Sequence, residues 1–281
     1  MTLKELPTLK DVEFFESEGY WIAPVLIADE QLEALRAHMD LVFQGEFETG
    51  RPPWQGYWRP DQGNVLRKTD NAHWADQTLR QLALDVRIGA IAATLMRTAT
   101  IRLWHDQLLY KPGEDGSARQ TKVGWHQDYQ YWQCAETPSL LTAWVAFDDV
   151  TLDNGCMQFV PKSHRWGLSP TGDFFDQATD DQMQAIHQAH PEATSVPVVL
   201  RAGQVSFHHC LTFHGSGPNT TKSPRRSLAI HLMTGETRYQ PGTASDGHMN
   251  VQLAHPAPGE RFEGTAFPVL FSRETPQNQV D

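Results

Sequence analysis

At Ile101 the texture of the chain changes. Before it, apolar residues recur mainly at helical spacing; after it come seven short runs of alternating or fully apolar character, separated by turn-forming residues. The runs are Ile101 to Tyr110, Val123 to Asp128, Leu140 to Phe147, Met157 to Val160, Val196 to Leu200, Gln204 to Phe207 and Ser227 to Met233. Pro112-Gly113, Asp153-Asn154-Gly155, Pro161-Lys162-Ser163 and Ala202-Gly203 mark turns between them. Strands this short cannot bury a core singly. They predict two packed sheets, a sandwich or jelly roll, backed by the helices that precede them.

The N-terminal part reads as a helix over Asp11 to Glu18, an extended stretch from Tyr20 to Leu26, and a helix capped by Asp29 with Leu32, Leu35, Met39 and Val42 on one face. Two more helical patterns cover Asp76 to Leu84 and Ile88 to Arg97. Ahead of both, the loop from Gly50 to Gly63 carries Trp54, Tyr57 and Trp58 and is a candidate lid. Ser169 to Glu192 is polar, acidic and partly helical, as expected for an insertion over one end. The Pro- and Gly-rich tail should drape over the sheet. With no repeat and no low-complexity linker, one domain over residues 1–281 is expected: a helical part to about 100, a core from about 101 to 235, and a tail from about 236 to 281.

The 281 residues, 40% of them hydrophobic, suffice for a sizeable core. A net charge of -11, from 34 acidic against 23 basic residues, argues against nucleic acid as a partner. Cys134, Cys156 and Cys210 lie far apart, which argues against a disulfide framework and fits a reducing cytoplasm. Residues 1–10 lack an apolar signal core, and no run is long enough to span a bilayer. A cytoplasmic protein acting on a small molecule is expected, with no membrane partner; its oligomeric state is not marked in the sequence.

Chemistry concentrates on the strand region. In Gly124-Trp125-His126-Gln127-Asp128, His126 and Asp128 are two apart and so share one face of a strand. Phe213-His214-Gly215-Ser216-Gly217 adds a second imidazole, followed by small residues that allow close backbone approach and leave the Ser216 hydroxyl nearby. Two His and one carboxylate with open positions form the ligand set of oxygen-activating non-haem Fe(II). Arg225, eleven residues after His214, is a fixed cation that could grip the carboxylate of a co-substrate. Alternation lets only one of Arg225 and Arg226 face inward, and the sequence does not choose between them.

Other histidines compete. One of His208 and His209 must face inward, with His209 the reserve third ligand; His231 could also point into the barrel, and His105 could line the substrate side. Structural zinc would want four Cys-rich ligands, for which these cysteines are misplaced. Catalytic zinc remains open, with Arg225 as the feature a hydrolase would not need. Trp125, Tyr129, Tyr131 and Trp132 form a candidate substrate wall. Tyr129 and Tyr131 share a face if the strand persists past Asp128.

The chain also carries Tyr110-Lys111-Pro112-Gly113, the run from Leu141 to Asp149, Asn154-Gly155-Cys156-Met157, Pro161-Lys162-Ser163-His164 and His214-Gly215-Ser216-Gly217-Pro218-Asn219. In this order, with Arg225, they resemble the phytanoyl-CoA dioxygenase family of Fe(II)- and 2-oxoglutarate-dependent oxygenases, from about Tyr110 to Met233. The resemblance implies a mainly β fold with flanking helices around a cupin-like jelly roll, the double-stranded β-helix. It implies His126, Asp128 and His214 as catalytic metal ligands, and Arg225 with Ser216 at the 2-oxoglutarate carboxylate. Trp144 and Gln107 would be further co-substrate contacts. The expected activity is hydroxylation of an unactivated C–H bond, consuming O2 and 2-oxoglutarate and releasing succinate and CO2. Because Asp128 is present, oxidation is expected rather than the halogenation seen in relatives that lack this carboxylate. The alternatives are a metal-dependent hydrolase or isomerase on a cupin-like barrel, or a non-catalytic ligand-binding relative.

Overall fold

Thr8 starts the first helix: its hydroxyl accepts from the Asp11 N–H while the Asp11 carboxylate accepts from the Thr8 N–H, a capping box for α1 (Leu9–Glu18). The computed structural model of the protein describes residues 6–54, 58–115, 121–169, 172–174 and 178–273. The chain continues through β1 (Tyr20–Val25), α2 (Asp29–Gln44), β2 (Arg67–Asp70), α3 (Gln77–Ala83) and α4 (Val86–Leu95). Asp76 and Asp85 cap α3 and α4 through their carboxylates. Asp29 is the first residue of α2 rather than its cap; there the Gln31 side chain accepts from the Ala28 N–H.

Then come β3 (Thr100–Lys111), β4 (Val123–His126), β5 (Leu140–Ala146), β6 (Met157–Phe159), α5 (Thr179–Ala189), β7 (Val196–Pro197) and β8 (Gln204–His209). The chain ends in β9 (His214–Ser216), β10 (Arg225–Thr234), α6 (Met249–Ala254) and β11 (Val269–Ser272). A larger sheet runs β1-β8-β5-β10-β3-β11, with β2 also pairing with β3; a smaller one runs β4-β9-β6-β7. The fold is the expected jelly roll, mainly β with flanking helices.

Period-two alternation divides the larger sheet into two chemistries. Leu228, Ile230 and Leu232 of β10, with Leu141, Ala143 and Val145 of β5, face outward into one core with Leu35, Met39, Leu79 and Ile91 of the helices. Each such aliphatic side chain contributes about 1.5–3 kcal/mol on burial, so the helical layer anchors this face. The inner face of the same strands carries Arg225, Ala229 and His231 from β10, and Thr142 and Trp144 from β5.

Strand β3 breaks its own alternation. His105 pairs with His231 and Leu103 with Leu232, so Trp104 is an extra residue in a β-bulge. The bulge turns both Trp104 and His105 to the inner side. Trp104 packs there with Trp132 and Phe262, while His105 sits against Trp132 and His231.

Several expectations need correction. β4 stops at His126, because residues 128–131 coil into a 3-10 turn. β2, β9 and β11 were not anticipated, being too short to show a period. The Gly50 to Gly63 loop does not reach the inner cavity with either tryptophan that can be described. Trp54 packs edge-on to Trp74, and Trp58 is clamped between Phe43 and the Arg67 guanidinium, 3.9 Å from its ring centroid. Tyr57 lies outside the described residues. The insertion does form a helix, α5, and it lies against β4. Among the described residues no helix is long and apolar enough to cross a membrane.

Candidate active site

β4 and β9 are neighbours in the smaller sheet, and their register sets His126 directly opposite His214. The backbone stays extended for one residue beyond β4 (Gln127, φ -114, ψ 129), which returns Asp128 to the side of His126. Gln127 points the other way and pins the segment: its amide donates to Leu211 O (2.7 Å) and Gly167 O (2.9 Å). Asp128 Oδ1 thereby lies 3.7 Å from His126 Nε2 and 3.6 Å from His214 Nε2. One ligand atom from each of the three buried residues falls within 4.8 Å of the others.

The tautomers suit a cation. His126 Nδ1 donates to Gly124 O (2.8 Å) and His214 Nδ1 to Thr212 O (2.9 Å). A carbonyl only accepts, so in each neutral ring the proton sits on Nδ1 and Nε2 keeps its lone pair. Burial pushes the His214 pKa well below its usual value, keeping that ring neutral. Thr142 Oγ1 donates to Asp128 Oδ2 (2.7 Å), fixing the carboxylate so that Oδ1 faces the two Nε2 atoms. Two imidazole Nε2 atoms and one carboxylate oxygen are a donor set for divalent iron.

The cavity extends in two lobes from this point. The first, about 40 Å³, is lined by Leu109, Trp144, Met157, Ser216, Arg225 and Ala229. Arg225 is buried, with its guanidinium carbon 5.2 Å from the Trp144 ring centroid, and it donates to Gly155 O. Gly155 has φ 72, and a Cβ there would lie 2.5 Å from Gly217 O, so only glycine allows this approach. Arg226 faces the outer side and is paired with Asp148 at 2.8 Å. Burial lowers the Arg225 pKa to about 10.

Lys111 was missed by the sequence reading. It is opposite Arg225 in the β3–β10 register, is fully buried, and donates to Ser216 Oγ (2.7 Å) and Gly217 O (2.5 Å). Burial, and then the neighbouring Arg225, lower its pKa well below the usual lysine value. Neither cation has a carboxylate ion-pair partner among the described residues, so this end of the lobe holds two cations without a paired anion. The signal was available: Lys111 keeps the alternation of Gln107 and Leu109.

The second lobe, about 170 Å³, shares Gln107, His126, Asp128 and Phe174 with the first. Its own walls include Lys68, Asp70, His105, Tyr131, His248 and Met249. Of the expected substrate wall, His105, Tyr131 and Trp132 are here, but Trp125 and Tyr129 are not. Trp125 lies on the opposite face of β4 from His126 and packs with Ile186 and Phe213 under α5. Tyr129 is carried off by the 3-10 turn and donates its hydroxyl proton to Ala135 O (2.8 Å). His209 is also outside the site, accepting from the Leu211 N–H and packing on His164. The inward residue of that pair is His208, whose Nε2 is 3.3 Å from Asp128 Oδ2.

A model of the phytanoyl-CoA dioxygenase (PhyH) family matches residues 15–227. The chain belongs to that family. It is 23% identical over 245 residues to the peroxisomal phytanoyl-CoA dioxygenase of Rattus norvegicus, covering 83% of this chain and 70% of that one. Among solved structures, the non-heme alpha ketoglutarate dependent carbocyclase SnoK from nogalamycin biosynthesis is 29% identical, with TM-score 0.72 over 95% of this chain and 98% of that one. The epimerase SnoN, in complex with Fe3+, alpha ketoglutarate and nogalamycin RO, is 28% identical, with TM-score 0.71 over 93% and 97%. Like its family, the protein is a 2-oxoglutarate-dependent dioxygenase, with iron and 2-oxoglutarate as its cofactor set and O2 as oxidant.

Proposed function

We propose that the enzyme hydroxylates an unactivated C–H bond of a small molecule. The observation that carries this reading is one cavity with two lobes that share His126 and Asp128, with His214 on the wall of the first, and only that first lobe is lined by an uncompensated cation. The triad would hold iron. Arg225 and Ser216 would hold the distal carboxylate of 2-oxoglutarate, with Trp144 packed beside it and Gln107 in polar contact with its keto acid end. Iron with 2-oxoglutarate and O2 supplies the oxidation, which yields succinate and CO2. The chain's contribution is positioning. Because the Lys111 ammonium can only donate to Ser216 Oγ, the serine's own proton is free for a carboxylate in the lobe. Thr142 keeps Asp128 from rotating, and Leu109, Met157 and Phe174 keep water from the reacting groups.

A hydrolase or isomerase that ignores 2-oxoglutarate would leave Arg225 and Lys111 buried without a counter-ion, which is why that reading is not favoured. Ring closure or epimerisation at the attacked carbon is a second reading, favoured by the likeness to a carbocyclase and an epimerase. Transfer of isotopically labelled oxygen from O2 into product separates hydroxylation from both. We also infer a cytoplasmic setting and a single oxygenase domain. Cys134, Cys156 and Cys210 are buried free thiols, the N-terminal helices α1 and α4 pack on the larger sheet, and the C-terminal β11 is an edge strand of it.

The test is an anaerobic titration of metal-free protein with Fe(II) and then 2-oxoglutarate. A visible charge-transfer band should appear only with both present. Iron binding without any band would refute the assigned co-substrate lobe.

A further inference from the structure

The second lobe has a polar inventory that restricts what can fill it. Lys68 Nζ is 2.9 Å from Asp70 Oδ2, so the pair brings no net charge, and Asp70 Oδ1 is buried without a partner. His105 is 2% exposed, and neither of its ring nitrogens has a partner. Its ring centroid is 4.5 Å from that of His231 and 5.5 Å from that of His248. The tautomers follow from the neighbours. The Asn250 N–H donates to His248 Nδ1 (3.1 Å), so the neutral ring carries its proton on Nε2, which has no partner among the described residues. Thr142 spends its proton on Asp128, so it accepts from His231 Nδ1 (2.8 Å), and His231 Nε2 is a bare acceptor. Burial lowers the pKa of His231 and of His248 to about 4, and that of His105 well below its usual value.

Free donors and free acceptors are therefore interleaved along the second lobe: His248 Nε2–H and one His105 N–H against Asp70 Oδ1 and the other His105 nitrogen, with His231 Nε2 on the adjoining wall of the first lobe. A carboxylate or phosphate would satisfy only the donors and would face Asp70. An ammonium would satisfy only the acceptors and would face Lys68. A hydrocarbon would satisfy none, and each buried group left unpaired costs roughly 1–3 kcal/mol. A hydroxyl both donates and accepts. We propose that this lobe takes an uncharged small molecule bearing at least one hydroxyl group, held by His105 and His248 beside Asp70, with its apolar part against Tyr131, Trp132 and Met249. This rests on the reading of the lobe as the substrate site.

The test uses protein loaded with Zn(II) as a diamagnetic stand-in for iron and with 2-oxoglutarate, whose binding is first measured by calorimetry. The Met249 methyl resonance, assigned through Met249→Leu, is then followed while cyclohexanol, cyclohexane, cyclohexylamine or cyclohexanecarboxylate is added. Cyclohexanol should bind at least roughly ten-fold more tightly than the other three, as one hydrogen-bonded pair implies. His105→Phe should abolish that preference, and His105→Gln, which keeps a donor and an acceptor, should retain it. Tightest binding of the amine or the carboxylate, or equal binding of cyclohexane, overturns the proposal on wild-type protein alone, whether or not the variants fold. Failure of 2-oxoglutarate to bind in the calorimetric step would instead strike the reading of the first lobe.

Discussion

The two lobes of the cavity share a wall but are built by different means. The first is assembled from the regular parts of β3, β5, β9 and β10, where every second residue faces inward, and it concentrates two cations that nothing among the described residues neutralises. The second is assembled from a bulge, a 3-10 turn, the short β2 and the start of α6, and it carries neutral imidazoles and a compensated Lys–Asp pair. Regular strands suit a ligand that does not change, because alternation holds a guanidinium in place whatever happens at the loops. Irregular elements can be altered without unfolding the sheet, which suits the end of the cavity where substrates differ.

The largest test of this division strikes the point where the lobes meet. Asp128→Ala removes a proposed metal ligand and leaves His126 and His214. Loss of a mere supporting contact in a metal site costs roughly 10–100-fold, so loss of a ligand should reduce succinate formation by more than about 100-fold. Succinate yield equal to wild type would dissolve the shared centre and with it the comparison.

Next in size is Trp125→Ala, which tests the face assignment rather than the chemistry. Trp125 is buried beneath α5 with Phe213 and Ile186, so truncation should destabilise the protein by about 3–5 kcal/mol. Equilibrium denaturation would show that loss, while the KM for 2-oxoglutarate in the surviving folded protein stays at its wild-type value. A change in KM without a stability loss would put Trp125 inside the cavity after all.

These faces explain how far the sequence could be read. His126, Asp128, His214 and Arg225 come together because strict alternation and one cross-strand pair are short-range facts. Asp128 reaches the site even though β4 ends early, since Gln127 alone must stay extended. The same alternation already placed Trp125 opposite His126, and grouping it with the aromatics around it overrode a correct signal. Tyr129 was lost because a 3-10 turn replaces period two. His209 was lost because the His208-His209 pair has no internal marker of face; Phe207 in the outer core supplies it only once the helices are in place. Lys68, Asp70, His248 and Met249 lie on elements of a few residues, brought in by pairing with β3 and by the Asn250 bond to Trp104 O. Nothing local announces such elements.

A smaller effect compares the two adjacent arginines. Charge-assisted hydrogen bonds contribute about 1.5–3 kcal/mol, so Arg225→Leu should raise the KM for 2-oxoglutarate roughly 10–150-fold. Arg226 is bound to Asp148 on the outer side, and Arg226→Leu should change that KM by less than about 3-fold. The opposite ranking in initial-rate measurements would mean that the register of β10 is shifted by one residue.

The smallest effect concerns Lys111, where function and stability should move in opposite directions. Replacing a buried, uncompensated charge by an apolar side chain of similar length tends to be neutral or stabilising, so Lys111→Met should raise the melting temperature of the metal-free protein. It should also weaken 2-oxoglutarate by roughly ten-fold, since Ser216 loses the partner that orients its hydroxyl. The pH dependence gives an independent check. Folded Lys111 releases its proton below the usual lysine pKa, so between those two values the unfolded chain holds more protons and stability climbs with pH. Below that window the full cost of the buried ammonium persists. Urea midpoints measured on the alkaline side should therefore rise more steeply with pH in wild type than in Lys111→Met. Parallel slopes would mean that Lys111 is already compensated, and the contrast between a charged lobe and a neutral one would lose half its basis.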